Sequence, residues 1–165
     1  MGPAGLCMRD ARPEDVAPLA QIWLDGWIDA HAAFLPPDVV RTRAPESLYG
    51  RLAPMVRNIR VADWNAAPAG FALLLDDEIN QFYLAAALRG TGAAAVMMAD
   101  AVARLQERGV GKAWLACAVG NDRAARFYEK SGWRRVSRMT KPLKTPTGQF
   151  PVEVWRYERD IPAGP

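Results

Sequence analysis

The residues of this chain best placed to do chemistry sit around Arg89-Gly90-Thr91-Gly92. That stretch lies between the apolar run Phe82-Tyr83-Leu84 and the alanine run Ala93-Ala94-Ala95. Glycine lets backbone approach a ligand where a Cβ would stand in the way. If a helix starts at the alanines, its first N–H groups and its dipole favour a negative charge at that point. The chemistry indicated is therefore the binding of a phosphate-bearing molecule.

Two motif readings of the loop can be weighed directly. A nucleoside-triphosphate loop requires G-x-x-x-x-G-K-[ST], and no lysine or hydroxyl follows these glycines, which excludes it. A dinucleotide fingerprint, G-x-G-x-x-A, does fit Gly90-Thr91-Gly92-Ala93-Ala94-Ala95, with Asp122 near the place for an acid after the next strand. Against it, the pattern falls past mid-chain, and the rest of the chain after it lacks the alternating strand–helix series of such a fold.

The elements that must position the loop can be read from periodicity. "LCMRDA" reads as a strand, and a helix follows from Pro13 with Val16, Leu19, Ala20, Trp23, Trp27, Ala30 and Phe34 on one face. "LPPDVV" ends it, and "PESLYGRLAPMV" is a second helix, with Pro54 marking a kink. "NIRVADW", "AGFALLL" and "EINQFYL" are three strands of a meander, the last two joined by an acidic turn at Asp76-Asp77. The glycine loop opens a helix to about Glu107, stopped at Gly109. "KAWLACAV" reads as a strand buried on both faces. "NDRAARFYEKSGW" is a helix capped by Asn121 or Asp122, and "RRVSRMTKPL" and "PVEVWRYERDI" form a last pair around "KTPTGQF". The order is β-α-α-β-β-β-α-β-α-β-β: an α/β (α+β) mixed sheet in a three-layer α/β/α arrangement, one domain over residues 1–165. Its central parallel pair is linked by the glycine-started helix.

Composition narrows the function. Of 165 residues, half are hydrophobic and a quarter charged, which supports a sizeable core. The net charge of +3 is too small to imply nucleic acid. From Arg123 to Lys144 there are eight basic residues against one acid, Glu129. That run is either a solvated face or a site for a phosphorylated small molecule, and no aromatic-interleaved basic motif accompanies it. Cys7 and Cys117 are too few for a disulfide framework, and with a single histidine no metal site is expected. No signal peptide and no membrane span are read, so a cytoplasmic protein is expected.

With these elements in place, the chain resembles the GNAT superfamily of N-acyltransferases. The family signature [QR]-x-x-G-x-[GA] is Arg89-Gly90-Thr91-Gly92-Ala93-Ala94 here. Upstream, Glu78-Ile79-Asn80-Gln81-Phe82-Tyr83-Leu84 matches E-I-x-x-L-Y-V without a gap. Downstream, Asn121-Asp122-Arg123-Ala124-Ala125-Arg126-Phe127-Tyr128 followed by Gly132-Trp133 matches N-x-x-A-x-x-F-Y-x-x-x-G-F. The family's usual proline before the loop is Ala86, which removes a fixed φ. The resemblance covers nearly the whole chain.

The resemblance implies an N-acetyltransferase that uses acetyl-CoA and no metal, acting on a primary amine of a small molecule or peptide in a ternary complex. It assigns Arg89, Gly90, Thr91, Gly92, Ala93 and Ala94 to the pyrophosphate. Leu84 is assigned to the thioester carbonyl or pantetheine arm, and Asn121 and Ala124 to the same ligand. Tyr128 is implied as the acid for the leaving thiolate: a phenol of pKa about 10 stays protonated where a thiol of about 8.5 does not. Glu78 is implied as the base, directly or through water, with partial burial beside Ile79 favouring proton uptake. Trp27, His31 and Phe34, with Tyr49 and Trp155 behind them, fall where the family holds its acceptor. Cys117, mid-strand, reads as a structural thiol. Members of the family are often homodimers, and no stretch of this sequence marks an interface. A non-catalytic CoA-binding domain and a dinucleotide oxidoreductase remain as alternatives.

Overall fold

The structure is a computed structural model and describes residues 2–165. Seven strands form one sheet: β1 (Leu6–Asp10), β2 (Ile59–Trp64), β3 (Ala67–Leu75), β4 (Glu78–Leu84), β5 (Lys112–Ala118), β6 (Arg134–Thr145) and β7 (Gly148–Asp160). Their order across the sheet is β1-β2-β3-β4-β5-β7-β6, as strands joined by short turns pair with their neighbours. All pairs are antiparallel except β4–β5. The β2–β3 turn places Asn65 and Ala66 at φ 52° and 66°. Asparagine tolerates that left-handed region, and the turn's twist matches that of the strands.

The expected helices form, with one addition. They are α1 (Val16–His31), α2 (Pro37–Arg41), α3 (Pro45–Leu52), α4 (Ala93–Glu107) and α5 (Asp122–Lys130). The first ends at His31, so Phe34, read as part of its apolar face, lies beyond it and is exposed. "LPPDVV", expected only to end the first helix, itself starts α2, because Pro37 at the first helical position needs no N–H partner. Pro54 acts as expected: α3 stops before it and a 3-10 segment carries the chain to Asn58. The loop expected over "KTPTGQF" shrinks to a turn at Pro146-Thr147, since β6 and β7 pair out to Thr145 and Gly148.

Side-chain alternation along β3 shows how the layers are built. Phe71 and Leu73 pack with Leu19, Trp23 and Trp27 of α1 and Leu48 and Leu52 of α3. Ala72 and Leu74 face the other way, with Met98, Ala101 and Leu105 of α4 and Ala125 and Tyr128 of α5. The sheet is thus covered on both faces. β5 departs from expectation: Ala113, Leu115 and Cys117 are buried, but Trp114 and Ala116 on the opposite side are only half-buried. That face is not covered by a helix; it borders a cleft.

Two irregularities shape the cleft. First, β4 and β5 pair only at Glu78–Trp114, supported by the Trp114 N–H donating to the Asp77 carbonyl at 3.0 Å. Beyond that point the strands part. Second, the β3–β4 register shifts between Leu73 and Leu74, whose partners are Gln81 and Ile79. Asn80 is the extra residue, and such a bulge re-aims the side chains that follow it. As a result Ile79 and Phe82 lie on the α4–α5 face, while Tyr83 points to α1.

Candidate active site

A cleft of about 460 Å³ opens where β4 and β5 diverge, with β6 and β7 along one side. That size suits a small-molecule site. The loop after β4 forms one end. Gly90 and Gly92 have φ of 75° and 88°, the left-handed region glycine adopts without strain. The N–H groups of Gly90, Gly92, Ala94 and Ala95 have no hydrogen-bond acceptor among the described residues. Thr91 closes the loop by donating its hydroxyl to the Leu88 carbonyl at 2.6 Å. Free amides at the start of a 15-residue helix form an anion cradle, and a Cβ at Gly90 would meet nothing within 4 Å. These residues fit a pyrophosphate.

Arg89 also lines the cleft, but its guanidinium is tied to Asp29 of α1 at 2.7 Å. Leu84 ends β4, and its backbone pairs with Gly70. Asn121 caps α5, its side chain accepting from the Ala124 N–H at 3.3 Å. Leu84, Asn121 and Ala124 all line the cleft.

Tyr128 is buried, at 9% exposure, and lines the same cleft. Its ring packs among Phe82, Phe127 and Tyr157, with centroids at 6.5, 5.6 and 5.9 Å. Its hydroxyl has no hydrogen-bond partner among the described residues, and burial pushes its pKa well above the usual phenol value. Burial also raises the Cys117 thiol to about 11, so it stays protonated and unreactive.

Glu78 is not in the cleft lining. It stands at the closed end of the β4–β5 gap, its side chain 14% exposed and 3.4 Å from Lys141 of β6, which does line the cleft. Of the expected acceptor residues, Trp27 and His31 line the cleft and Phe34 does not. His31 stacks on Trp27 at 4.9 Å and donates from Nδ1 to the Trp27 carbonyl at 2.9 Å. Burial lowers its pKa, opposed by that hydrogen bond and aided by Arg43. Phe34 instead covers Gly120. Tyr49 is exposed, and Trp155 lies under Arg135 and Arg138.

Among the lining residues to which sequence reading gives no site role are the polar Arg43, Arg51, Tyr83 and Lys141. Tyr83 stands in the Glu78–Leu84 match and Lys141 in the basic run, which are signals; Arg51 adjoins the buried Leu52 on α3, a weak one, and Arg43 carries none. Half of the basic run at residues 123–144 is paired: Arg134 with Asp160, Arg135 with Glu129, Arg138 with Glu153 and Lys141 with Glu78. Among the described residues no cluster of three or more His, Cys, Asp or Glu is arranged to hold a metal ion, and no helix is long and apolar enough to cross a membrane.

The profile of the acetyltransferase (GNAT) family matches residues 21–133. An uncharacterised N-acetyltransferase of Mycobacterium tuberculosis is 35% identical over 83 residues, and one of Mycobacterium bovis matches equally. The matched stretch spans about half the length of these curated relatives, 53%, and 47% of this chain. A GCN5-related N-acetyltransferase from Rhodopseudomonas palustris superposes with a TM-score of 0.77 at 18% identity, covering 98% of this chain and 99% of that one. The PaiA N-acetyltransferase of Thermoplasma acidophilum, solved with coenzyme A, gives 0.73 at 15% identity, covering 94% and 98%. A ribosomal-protein-alanine N-acetyltransferase from Brucella melitensis gives 0.72 at 17%, covering 94% and 99%.

Proposed function

The chain belongs to the acetyltransferase (GNAT) family, and on that premise we propose that it transfers an acetyl group from acetyl-CoA to a primary amine by direct attack in a ternary complex. What carries the reading is that the loop of free amides and Tyr128 line one cleft, at the point where β4 and β5 part. The thioester supplies the activated acyl group. The amides of Gly90, Gly92, Ala94 and Ala95 hold the pyrophosphate, while Leu84, Asn121 and Ala124 flank the arm that leads to the thioester.

An alkylamine of pKa about 10.4 must lose a proton before it can attack. Glu78 takes that proton through water, since its carboxylate stands behind Lys141 rather than in the cleft. Tyr128 gives its proton to the departing thiolate and is reprotonated, through solvent, by the second proton that the nitrogen sheds as the amide forms. Burial keeps the resting phenol protonated across neutral pH. Residues 1–165 act as one transferase domain.

Thermal unfolding with acetyl-CoA, CoA and NADH added separately tests this. A ligand at 100 times its Kd stabilises by about 2.7 kcal/mol. Acetyl-CoA and CoA are expected to raise Tm and NADH to leave it unchanged, with thiol release on addition of a suitable amine. A shift with NADH alone would overturn the assignment. A shift with acetyl-CoA, but no thiol release with any amine, would make the chain a CoA-binding domain without turnover.

A further inference from the structure

The cleft is lined by five cationic side chains, Arg43, Arg51, Arg89, Arg123 and Lys141, and by no carboxylate. Arg89 and Lys141 are answered from behind, by Asp29 and Glu78. Arg43 and Arg51 are not. Among the described residues neither has a carboxylate within ion-pair distance, and neither guanidinium donates a hydrogen bond. The Arg43 Nε is buried without an acceptor.

These two groups are held in place. The Arg43 guanidinium lies 5.0 Å from the Trp27 ring centroid and that of Arg51 lies 4.8 Å from Trp23. The two tryptophans are one helical turn apart on α1, so the stacked guanidiniums are presented side by side. Both act on the partly buried Tyr83 phenol, which faces α1. The pair therefore lies on the α1–α3 face of β4, whereas α4, which begins at the glycine loop, covers the opposite face. The glycine loop and the arginine pair are thus set on different sides of the sheet.

Arg43 is half-buried while Arg51 is exposed on the cleft wall, so the cost of lacking a counter-charge falls mainly on Arg43. Burial, and then repulsion from Arg51, lowers the Arg43 pKa to about 10. Burial lowers that of Arg51 as well, and Tyr83 stays a neutral phenol near 12. His31 beside Trp27 is kept neutral by burial and adds no negative charge. Such a site repels a simple protonated alkylamine. It attracts an acceptor whose own anionic group meets the two guanidiniums, as planar forks meet a carboxylate.

Resting on the acetyltransferase reading, we propose that the acceptor is a small amine that also carries a carboxylate, an amino acid in chemical class, with Arg43 and Arg51 binding the carboxylate and the amine directed to the β4–β5 gap. Pro142, Leu143 and Val152 of the β6–β7 hairpin line the cleft, which suits a small acceptor rather than a folded one.

The test is thiol release from acetyl-CoA with the common amino acids, their α-amides and the corresponding decarboxylated amines. At least one free amino acid is expected to be acetylated with kcat/KM about tenfold or more above its amide and its decarboxylated form, the range of a charge-assisted contact. Arg43→Met and Arg51→Met, which keep much of the stem, are expected to abolish that preference through KM for the amino acid. KM for acetyl-CoA and the Tm shift given by acetyl-CoA should not change. Arg43→Lys should restore part of the preference. Acetylation of amides, amines or peptide N-termini as well as or better than free amino acids would overturn the proposal, as would no turnover of any amino acid by a protein that binds acetyl-CoA. Loss of acetyl-CoA affinity in Arg43→Met would also overturn it, by placing the pair in the cofactor site. Failure of acetyl-CoA to shift Tm in the parent protein would instead strike the acetyltransferase reading.

Discussion

Glu78 and Lys141 are 63 residues apart in the chain, yet their side chains meet at 3.4 Å at the closed end of the β4–β5 gap. The pair puts a carboxylate just outside the cleft and a cation on its wall. Glu78→Gln keeps the shape and removes the base. It should lower kcat about a hundredfold, within the usual range for general-base loss, and leave the acetyl-CoA Tm shift intact. Stopped-flow thiol release checks this; an unchanged kcat would mean that another group or bulk water takes the proton.

Tyr128→Phe removes one oxygen from a ring that already packs among aromatic neighbours. Stability should hold, and turnover should fall by about 10²-fold or more. Because burial raises the phenol's pKa, the parent enzyme's activity should show no alkaline loss from this group below about pH 10. A descending limb near pH 8 to 9 that disappears in Tyr128→Phe would contradict the assignment.

His31 gives stability a pH dependence of known sign. Its pKa is lowered on folding, by burial first and by Arg43 as well. Just below its ordinary value of 6.5 the unfolded chain therefore binds more protons than the folded one. The contribution is fully present above about pH 6.5 and is lost as pH falls through the lowered folded value. Urea unfolding across this window should show stability rising with pH, and His31→Gln should flatten that slope.

Gly26 lies inside α1, where glycine costs about 1 kcal/mol relative to alanine. Yet a Cβ there would stand 2.5 Å from Cδ1 of Tyr83. Gly26→Ala should therefore destabilise, by about 1–3 kcal/mol as overpacking does, despite the better helix former. Tyr83 lines the cleft, so activity should fall as well. A gain in stability, read by thermal unfolding, would show that the Tyr83 ring can move aside at little cost.

What was legible in the sequence was what neighbouring residues determine. Asn121 or Asp122 is read as a helix cap and Asn121 fills that place, while Gly90 and Gly92, read as letting backbone come close to a ligand, adopt left-handed φ. The short helix α2 was hidden because Pro36-Pro37 reads equally as the end of one helix and the start of another. Arg89 looked free for phosphate because its partner, Asp29, is 60 residues away. Arg43 and Arg51 looked like ordinary surface arginines. Their setting comes from Trp23 and Trp27, brought over by the packing of α1 on α3, and no local pattern encodes that.

The Glu78–Trp114 bridge has a mechanical meaning. One rung joins a four-stranded plate, β1 to β4, to a three-stranded plate, β5 to β7, and the core beneath α4 and α5 holds them on one side. A reactant lying between the plates acts as a splint. On the proposed function, the molecule would then be stiffest with a reactant in place and looser once the product has left.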